Sequence, residues 1–166
     1  MGMTDGMIHE LEMETAATRR LLERVPPDKL AWKPHEKSMS MGQLTLHVAT
    51  IPGNMAEILS PDSFDFSNAT PQSSAQSAAE LLPALEESVA KCKAALSGMD
   101  DARVMQNWTM FMGEKELMSA PRIGLLRSFV FSHWYHHRGQ LTVYLRLNDV
   151  PLPSTYGPSA DENPFV

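Results

Sequence analysis

The sequence predicts an all-α four-helix bundle, because four separate stretches place apolar residues at the three- and four-residue spacing of an amphipathic helix. Proline and capping residues mark the ends of these stretches, and the strand signal is confined to one short segment. The chain has 166 residues, of which 43% are hydrophobic and 20% are charged, as in ordinary globular proteins. We therefore expect one domain over residues 1–166, with the proline-rich tail 151–166 extended across its surface.

The first two predicted helices flank a proline-containing loop. The first ends near Val25, where two prolines follow. Its apolar face consists of Leu11, Thr15, Thr18, Leu22 and Val25. The second has Ser38 or Ser40 as its N-cap. Its face consists of Met41, Leu44, Val48, Ile51, Met55 and Ile58. Because Pro52 lacks an amide hydrogen and crowds the Val48 carbonyl, we expect a kink one turn after His47.

Residues 61–73 are polar and turn-rich, which predicts an irregular connection to the third helix. Ser77 and Glu80 form a capping-box pattern at the start of that helix. Its apolar face consists of Ala75, Ala78, Leu82, Leu85, Val89, Cys92 and Leu96. Residues 99–119 lack helical spacing. A short hairpin is predicted from residues 108–112 and 116–118, which lie on either side of Gly113. The fourth helix runs from near Pro121 to about Asn148.

Composition excludes several classes of function. The formal net charge of −6 argues against nucleic-acid binding, which needs clustered lysine and arginine. A lone cysteine, Cys92, excludes an intrachain disulfide and a two-cysteine metal motif, and its core position favours a small buried hydrophobe over a reactive thiol. Neither a signal peptide nor an apolar run long enough to cross a membrane is visible, so we expect a cytoplasmic protein without membrane partners.

Three histidines are predicted to meet inside the helical core. His133 and His137 lie four residues apart on the apolar face of the last helix, and His47 lies between Leu44 and Ile51 on the apolar face of the second. A lone core histidine is more often hydrogen-bonded than a ligand, but two buried polar rings side by side need partners. Three neutral imidazoles suit Zn²⁺, Ni²⁺ or Fe²⁺ and leave coordination positions open.

The last helix and tail contain HWYHHRGQLTVYLRLNDVPLPSTYGPS, the second helix begins with SMSMGQLTLHVA, and ERVPPDKLAWKPHEKSMS joins the first two helices. These three segments resemble the DinB/YfiT-like superfamily, and the resemblance extends over essentially the whole chain. The resemblance implies a four-helix bundle of up-down-down-up topology and a divalent metal, Zn or Ni, held by His47, His133 and His137. It also implies a small-molecule substrate. Because some members of the family are thiol-dependent transferases, a low-molecular-weight thiol is an expected cosubstrate. We further expect a homodimer.

The sequence leaves two function classes open. A metal with open positions lowers the pKa of bound water or thiol, so the first is a hydrolase or thiol S-transferase acting on a small electrophile. The second is a non-catalytic metal- or small-ligand-binding stress protein, which a fourth protein ligand would favour. Candidate general bases are Glu10, Glu14 and Glu57. Arg138 is predicted either to bind an anionic group near the metal or to form a salt bridge with the first helix or a partner subunit.

Three tryptophans and several methionines have two interpretations each. The tryptophans either line a substrate pocket or anchor loops to the helices, and the second is the default. They are Trp32, Trp108 and Trp134. The methionines near His47 either ligate copper through their thioethers or fill the core, and packing is favoured. They are Met39, Met41 and Met55.

Overall fold

The structure is a computed structural model that describes residues 2–71 and 73–165. Its helices are α1 (Met3–Leu22), α2 (Met41–Leu59), α3 (Leu81–Ser97), α4 (Asp101–Met105), α5 (Arg122–Leu125) and α6 (His133–Arg146). Its strands are β1 (Ser63–Asp65), β2 (Asn107–Met112) and β3 (Lys115–Pro121). Short 3₁₀ turns occupy Pro27–Lys29, Phe66–Asn68 and Ala78–Glu80, and a π-helical segment, Leu126–Ser132, joins α5 to α6.

The fold is mostly helical, but the all-α prediction was too narrow because a three-stranded sheet is present. β2 and β3 form the predicted hairpin around Gly113, whose φ of +59° suits a glycine. β1 pairs in parallel with β2, so that Phe64 lies opposite Met110. This strand falls in the connection predicted to be irregular, and a three-residue strand is too short to show periodicity. The up-down-down-up order of the helices stays a prediction.

Helix α2 is the most extensively buried helix and packs against α1, α3 and α6. Its Ser40 N-cap accepts a hydrogen bond from the Gln43 amide, and the Gln43 side chain accepts one from the Ser40 amide. The helix contacts α3 closely at Gly53, where an added Cβ would lie 2.8 Å from the backbone oxygen of Ser88. Only glycine permits this approach, and it places α2 deep in the core.

Pro52 lies inside α2 without ending the helix. A proline has no amide hydrogen, so the Val48 carbonyl loses its usual donor four residues later. The indole Nε1 of Trp134 on α6 donates to that carbonyl at 2.8 Å. The next amide, that of Gly53, donates instead to the Ser88 hydroxyl on α3 at 2.8 Å. Side chains of two neighbouring helices therefore make the hydrogen bonds at the proline, and they fix α2 between them.

Arg122 is completely buried and holds the chain where α2 ends. Its guanidinium donates to the carbonyl oxygens of Leu59, Pro61 and Arg103 at 2.7–2.9 Å. The last carbonyls of a helix have no partner within the helix, so these bonds satisfy groups that burial would otherwise leave unpaired. Arginine supplies several donors in a planar fork, which explains how one side chain serves three carbonyls.

Ion pairs hold the tail that follows α6 to the helices, and its extended path stays a prediction. Arg20 of α1 and Arg24, which follows the end of α1, both pair with Glu162, and Arg146 of α6 pairs with Asp161 at 2.5 Å. Within the described part of the chain, no helix is both long and apolar enough to cross a lipid bilayer.

Candidate metal centre

The three predicted histidines come together between α2 and α6. His47 lies on α2, His133 begins α6, and His137 follows one helical turn later. Their ring centroids are 4.6–5.1 Å apart, and the Nε2 atoms of His47 and His133 are separated by 3.3 Å. One ring nitrogen from each histidine lies within 4.8 Å of those from the other two. The three rings are thus placed to hold one metal ion.

Hydrogen bonds on the far side of two rings direct their Nε2 lone pairs toward the cluster. The Nδ1 of His133 lies 3.3 Å from the Phe129 carbonyl oxygen, which can only accept, so Nδ1 carries the hydrogen. The Nδ1 of His137 donates to the Gln140 amide oxygen at 2.8 Å. The amide nitrogen of Gln140 donates in turn to His136 at 3.0 Å. Such partners fix the tautomer and orientation of metal-binding histidines.

The π-helical segment makes one of these partners accessible. In an α-helix the His133 amide would donate to the Phe129 carbonyl, four residues earlier. Here the His133 amide donates to Ser128, five residues earlier, and to Val130. The Phe129 carbonyl is therefore available to the His133 ring. Single turns of π-helix are rare and frequently occur at functional sites.

The environment keeps all three imidazoles neutral. Burial lowers the pKa of His47 from 6.5 to about 4, and repulsion by His137 and His133 adds to the effect. Burial also lowers the pKa values of His133 and His137, although their hydrogen bonds to Phe129 and Gln140 act in the opposite direction. Neutral imidazole is the form that binds a metal, so the lone pairs are available at neutral pH.

The donor set fits a divalent transition metal. Two nitrogens at the usual ~2.0–2.1 Å from a tetrahedral zinc ion stand about 3.3 Å apart, which matches the His47–His133 separation. Two unprotonated Nε2 atoms at this distance repel each other unless a proton or a cation lies between them. Among the described residues, no fourth histidine, cysteine, aspartate or glutamate joins the group. Three protein ligands with an open position are typical of reactive metal sites rather than structural ones.

His47 also lines a cleft of about 540 Å³ between α2 and the connection that follows it. This volume lies within the range of small-molecule sites. Met55, Phe64 and Phe66 contribute apolar surface, and Glu57 contributes a carboxylate. The sequence had named Glu57 as a candidate base, and the structure places it in the wall that His47 shares.

The other two candidate bases lie elsewhere. Glu10 accepts hydrogen bonds from Arg127 and from the Tyr135 hydroxyl, and Glu14 forms a buried ion pair with Arg138. Both carboxylates face the α1 side of α6, away from the histidine cluster. The same contacts decide the role of Arg138, whose guanidinium is buried against α1. It forms the predicted salt bridge with the first helix and does not face the cluster.

The remaining candidates take their structural roles. Burial raises the pKa of the Cys92 thiol to about 12, so the thiol is inert. Trp108 and Trp134 are fully buried and donate to carbonyls of α2, and Trp32 packs edge-on against Tyr144. Two methionines follow the packing interpretation, Met41 in the core and Met55 in the cleft wall. The role of Gln140 was missed, although its position three residues after His137 places it on the same helical face.

The fold and the site together define a mostly helical protein with a three-histidine candidate metal centre. The sequence model of the DinB family matches residues 1–163, and the chain belongs to this family. The uncharacterized protein YrdA of Bacillus subtilis (strain 168) is 25% identical over 162 residues, which are 95% of this chain and 90% of YrdA.

Two solved structures have a similar fold. The DinB-like protein YjoA of Bacillus subtilis has a TM-score of 0.70 at 22% identity, covering 90% of this chain and 97% of its own. A DinB-like protein of Bacillus cereus ATCC 10987 has a TM-score of 0.72 at 20% identity, covering 92% of this chain and 97% of its own. At these identities the likeness concerns the fold alone.

Proposed function

We propose that this DinB-family chain binds one divalent transition metal, Zn²⁺ or Ni²⁺, through His47, His133 and His137, and that it is an enzyme acting on a small electrophile. The observation that carries the proposal is the convergence of three neutral imidazoles beside a cleft. Because His47 belongs both to the cluster and to the cleft wall, a molecule in the cleft would lie next to the metal.

A metal bound there would lower the pKa of water or of a thiol, which provides a nucleophile at neutral pH. The chain itself contributes positioning. The Phe129 carbonyl and Gln140 orient two of the rings, and burial keeps protons off all three. Glu57 lines the same cleft, but it follows His47 by ten residues on α2, about 15 Å along the helix, so it lies too far from the histidines to take a proton from the nucleophile directly. Water as nucleophile gives a hydrolase, and a low-molecular-weight thiol gives an S-transferase.

The first experiment measures metal content. Purified protein exposed to Zn²⁺ or Ni²⁺ and then desalted is expected to retain about one ion per chain by elemental analysis. The variants His47→Ala, His133→Ala and His137→Ala should each lose it. His9→Ala is the matched control, because His9 is an exposed histidine of α1 outside the cluster. Retention of stoichiometric metal by His137→Ala would refute the ligand assignment.

The second experiment tests for catalysis. Metal-loaded and chelated proteins are compared for hydrolysis of aryl esters and for conjugation of thiols to an activated aryl halide. An enzyme is expected to lose its rate after chelation and to regain it when the metal is restored. If metal binds fully and no reaction in either series depends on it, the non-catalytic binding protein becomes the better interpretation.

A further inference from the structure

The described lining of the cleft beside His47 offers no positively charged side chain to an anionic substrate. Among the described residues that line it, Glu57 carries a charge, and no lysine or arginine is present. Its polar groups are otherwise neutral side chains such as Thr50 and Asn54. The Thr50 hydroxyl already donates to the Leu46 carbonyl at 2.9 Å, so it is not free to bind an anion as a donor.

The negative charge of Glu57 is only partly compensated. Lys91 of α3 lies 3.4 Å from the Glu57 carboxylate, but it also lies 3.1 Å from Glu87 on its own helix. One ammonium group therefore serves two carboxylates, and the three side chains together carry one net negative charge. Lys91 is outside the cleft lining, whereas Glu57 is part of it. The side chains of the protein therefore make the potential negative near Glu57, whereas a metal bound by the histidines would add positive charge near His47.

A second part of the cleft lining is aromatic and is held in place by the small sheet. The rings of Phe64 and Phe66 meet edge to face with centroids 5.2 Å apart, and both line the cleft. Phe64 belongs to β1, which β2 fixes by parallel pairing. Asp65, between the two rings, accepts hydrogen bonds from the amides of Ser67 and Gly113, each at 2.9 Å. These bonds hold the segment that carries the two rings in place in the absence of a ligand.

We propose that this cleft binds small molecules with an apolar or aromatic body and a positively charged group, and that Glu57 and the Phe64–Phe66 pair determine this preference. A cation is attracted by a carboxylate and by aromatic faces, and both surround this cavity. The apolar body fits against Met55 and Ile58. The inference rests on the proposed function and extends it by naming the class of substrate.

The test uses three phenyl compounds that differ in charge. Phenyltrimethylammonium is the cation, benzyl alcohol is neutral, and benzenesulfonate is the anion. The cation has no lone pair with which to bind a metal. Dissociation constants are measured by NMR titration with metal-loaded protein and again after chelation. In the chelated protein the cation is expected to bind most tightly and the anion most weakly. Metal loading is expected to narrow this difference, because the bound ion adds positive charge near His47. Equal or tighter binding of the anion by the chelated protein would overturn the proposal.

Two acidic variants separate the cleft from the surrounding salt bridges. Glu57→Gln should weaken binding of the cation about 2- to 5-fold and leave the neutral compound unchanged, as expected for an exposed cation site. Glu86→Gln is the control, because Glu86 is an exposed carboxylate of α3 that pairs with Arg19 outside the cleft lining, so it should leave the cation affinity unchanged. Equal effects of the two substitutions would refute the assignment to Glu57.

The aromatic wall has its own variant. Phe66→Leu should weaken binding of both the cation and the neutral compound, because it removes a ring that both contact. Metal content is measured on every sample. Loss of the metal with the charge preference intact would count against the metal site alone, and a normal metal content without the preference would count against this inference alone.

Discussion

The contribution of the Trp134–Val48 hydrogen bond to the free energy of unfolding should depend on Pro52, four residues after Val48. In Trp134→Phe, the phenyl ring has no donor, and Pro52 has no amide hydrogen to replace it. The Gly53 amide is already engaged by Ser88. Val48 and Trp134 are both fully buried, so water does not reach the carbonyl in the folded protein. The substitution therefore leaves a buried acceptor without a partner.

The magnitude follows from two separable costs. An unpaired buried carbonyl costs about 1–3 kcal/mol, and the smaller ring adds a packing cost. In a Pro52→Ala background, the new amide can donate to the Val48 carbonyl in the normal helical geometry. The packing cost is then still present, but the unpaired-acceptor cost is not. We expect Trp134→Phe to destabilise the Pro52→Ala protein by about 1–2 kcal/mol less than it destabilises the wild type.

The assay is a double-mutant cycle by urea denaturation, with helix content followed by circular dichroism in a chelator. The chelator removes any contribution of metal binding to the free energy of unfolding. Trp108→Phe is the matched control, because Trp108 is also fully buried and donates to a backbone carbonyl, that of Ile58. Its effect should be the same with and without Pro52. A Trp134–Pro52 coupling energy within about 0.5 kcal/mol of zero would refute the reasoning.

Four further predictions concern the metal centre and its histidines. Gln140→Leu should weaken Zn²⁺ binding about 10- to 100-fold by calorimetric titration, whereas Gln140→Glu, which can still accept from His137, should largely restore it. Burial lowers the pKa of His47 from 6.5 to about 4. Zn²⁺ affinity should therefore be nearly constant above pH 6.5 and should fall as the pH drops toward 4. A steep loss of affinity between pH 8 and 7 would contradict this. In the same window the unfolded chain binds more protons than the folded chain, so the metal-free protein should lose stability as the pH falls, measured as the free energy of unfolding by urea. Chelation should lower the melting temperature yet leave one cooperative helical transition, since a metal at a thousand times its dissociation constant adds only about 4 kcal/mol; a chelated chain that stays unfolded at room temperature would make the metal structural.

The helices could be predicted because their signals are local. Each apolar series falls within a few turns, and the observed α2 begins at Met41, directly after the predicted Ser40 cap. The histidine cluster could be predicted for the same reason. A four-residue spacing puts His133 and His137 on one face, and His47 lies on the buried side of the helix that faces them.

The features that were missed depend on contacts between distant parts of the chain. β1 pairs with β2 across more than forty residues, and no property of three residues reveals such a partner. Arg122 resembles any surface arginine in the sequence, but it is buried and donates to three carbonyls, at the end of α2, just after it and in α4. Glu10 and Glu14 were predicted as candidate bases because the sequence places them on the first helix but does not give the orientation of that helix about its own axis. A small change in that rotation decides whether a carboxylate faces the metal or an arginine.

The backbone irregularity at Pro52 explains why the histidines converge where they do. Trp134 lies directly after His133 in sequence, and its bond to the Val48 carbonyl ties α6 to the residue directly after His47. The missing amide hydrogen of Pro52 thus creates the acceptor that sets the position of α6 along α2. On the other side of His133, the π-helical turn makes the Phe129 carbonyl available to orient the ring. Both irregularities lie in helices rather than in loops, so the three imidazoles are held at their separations by the packed core itself, before a metal binds.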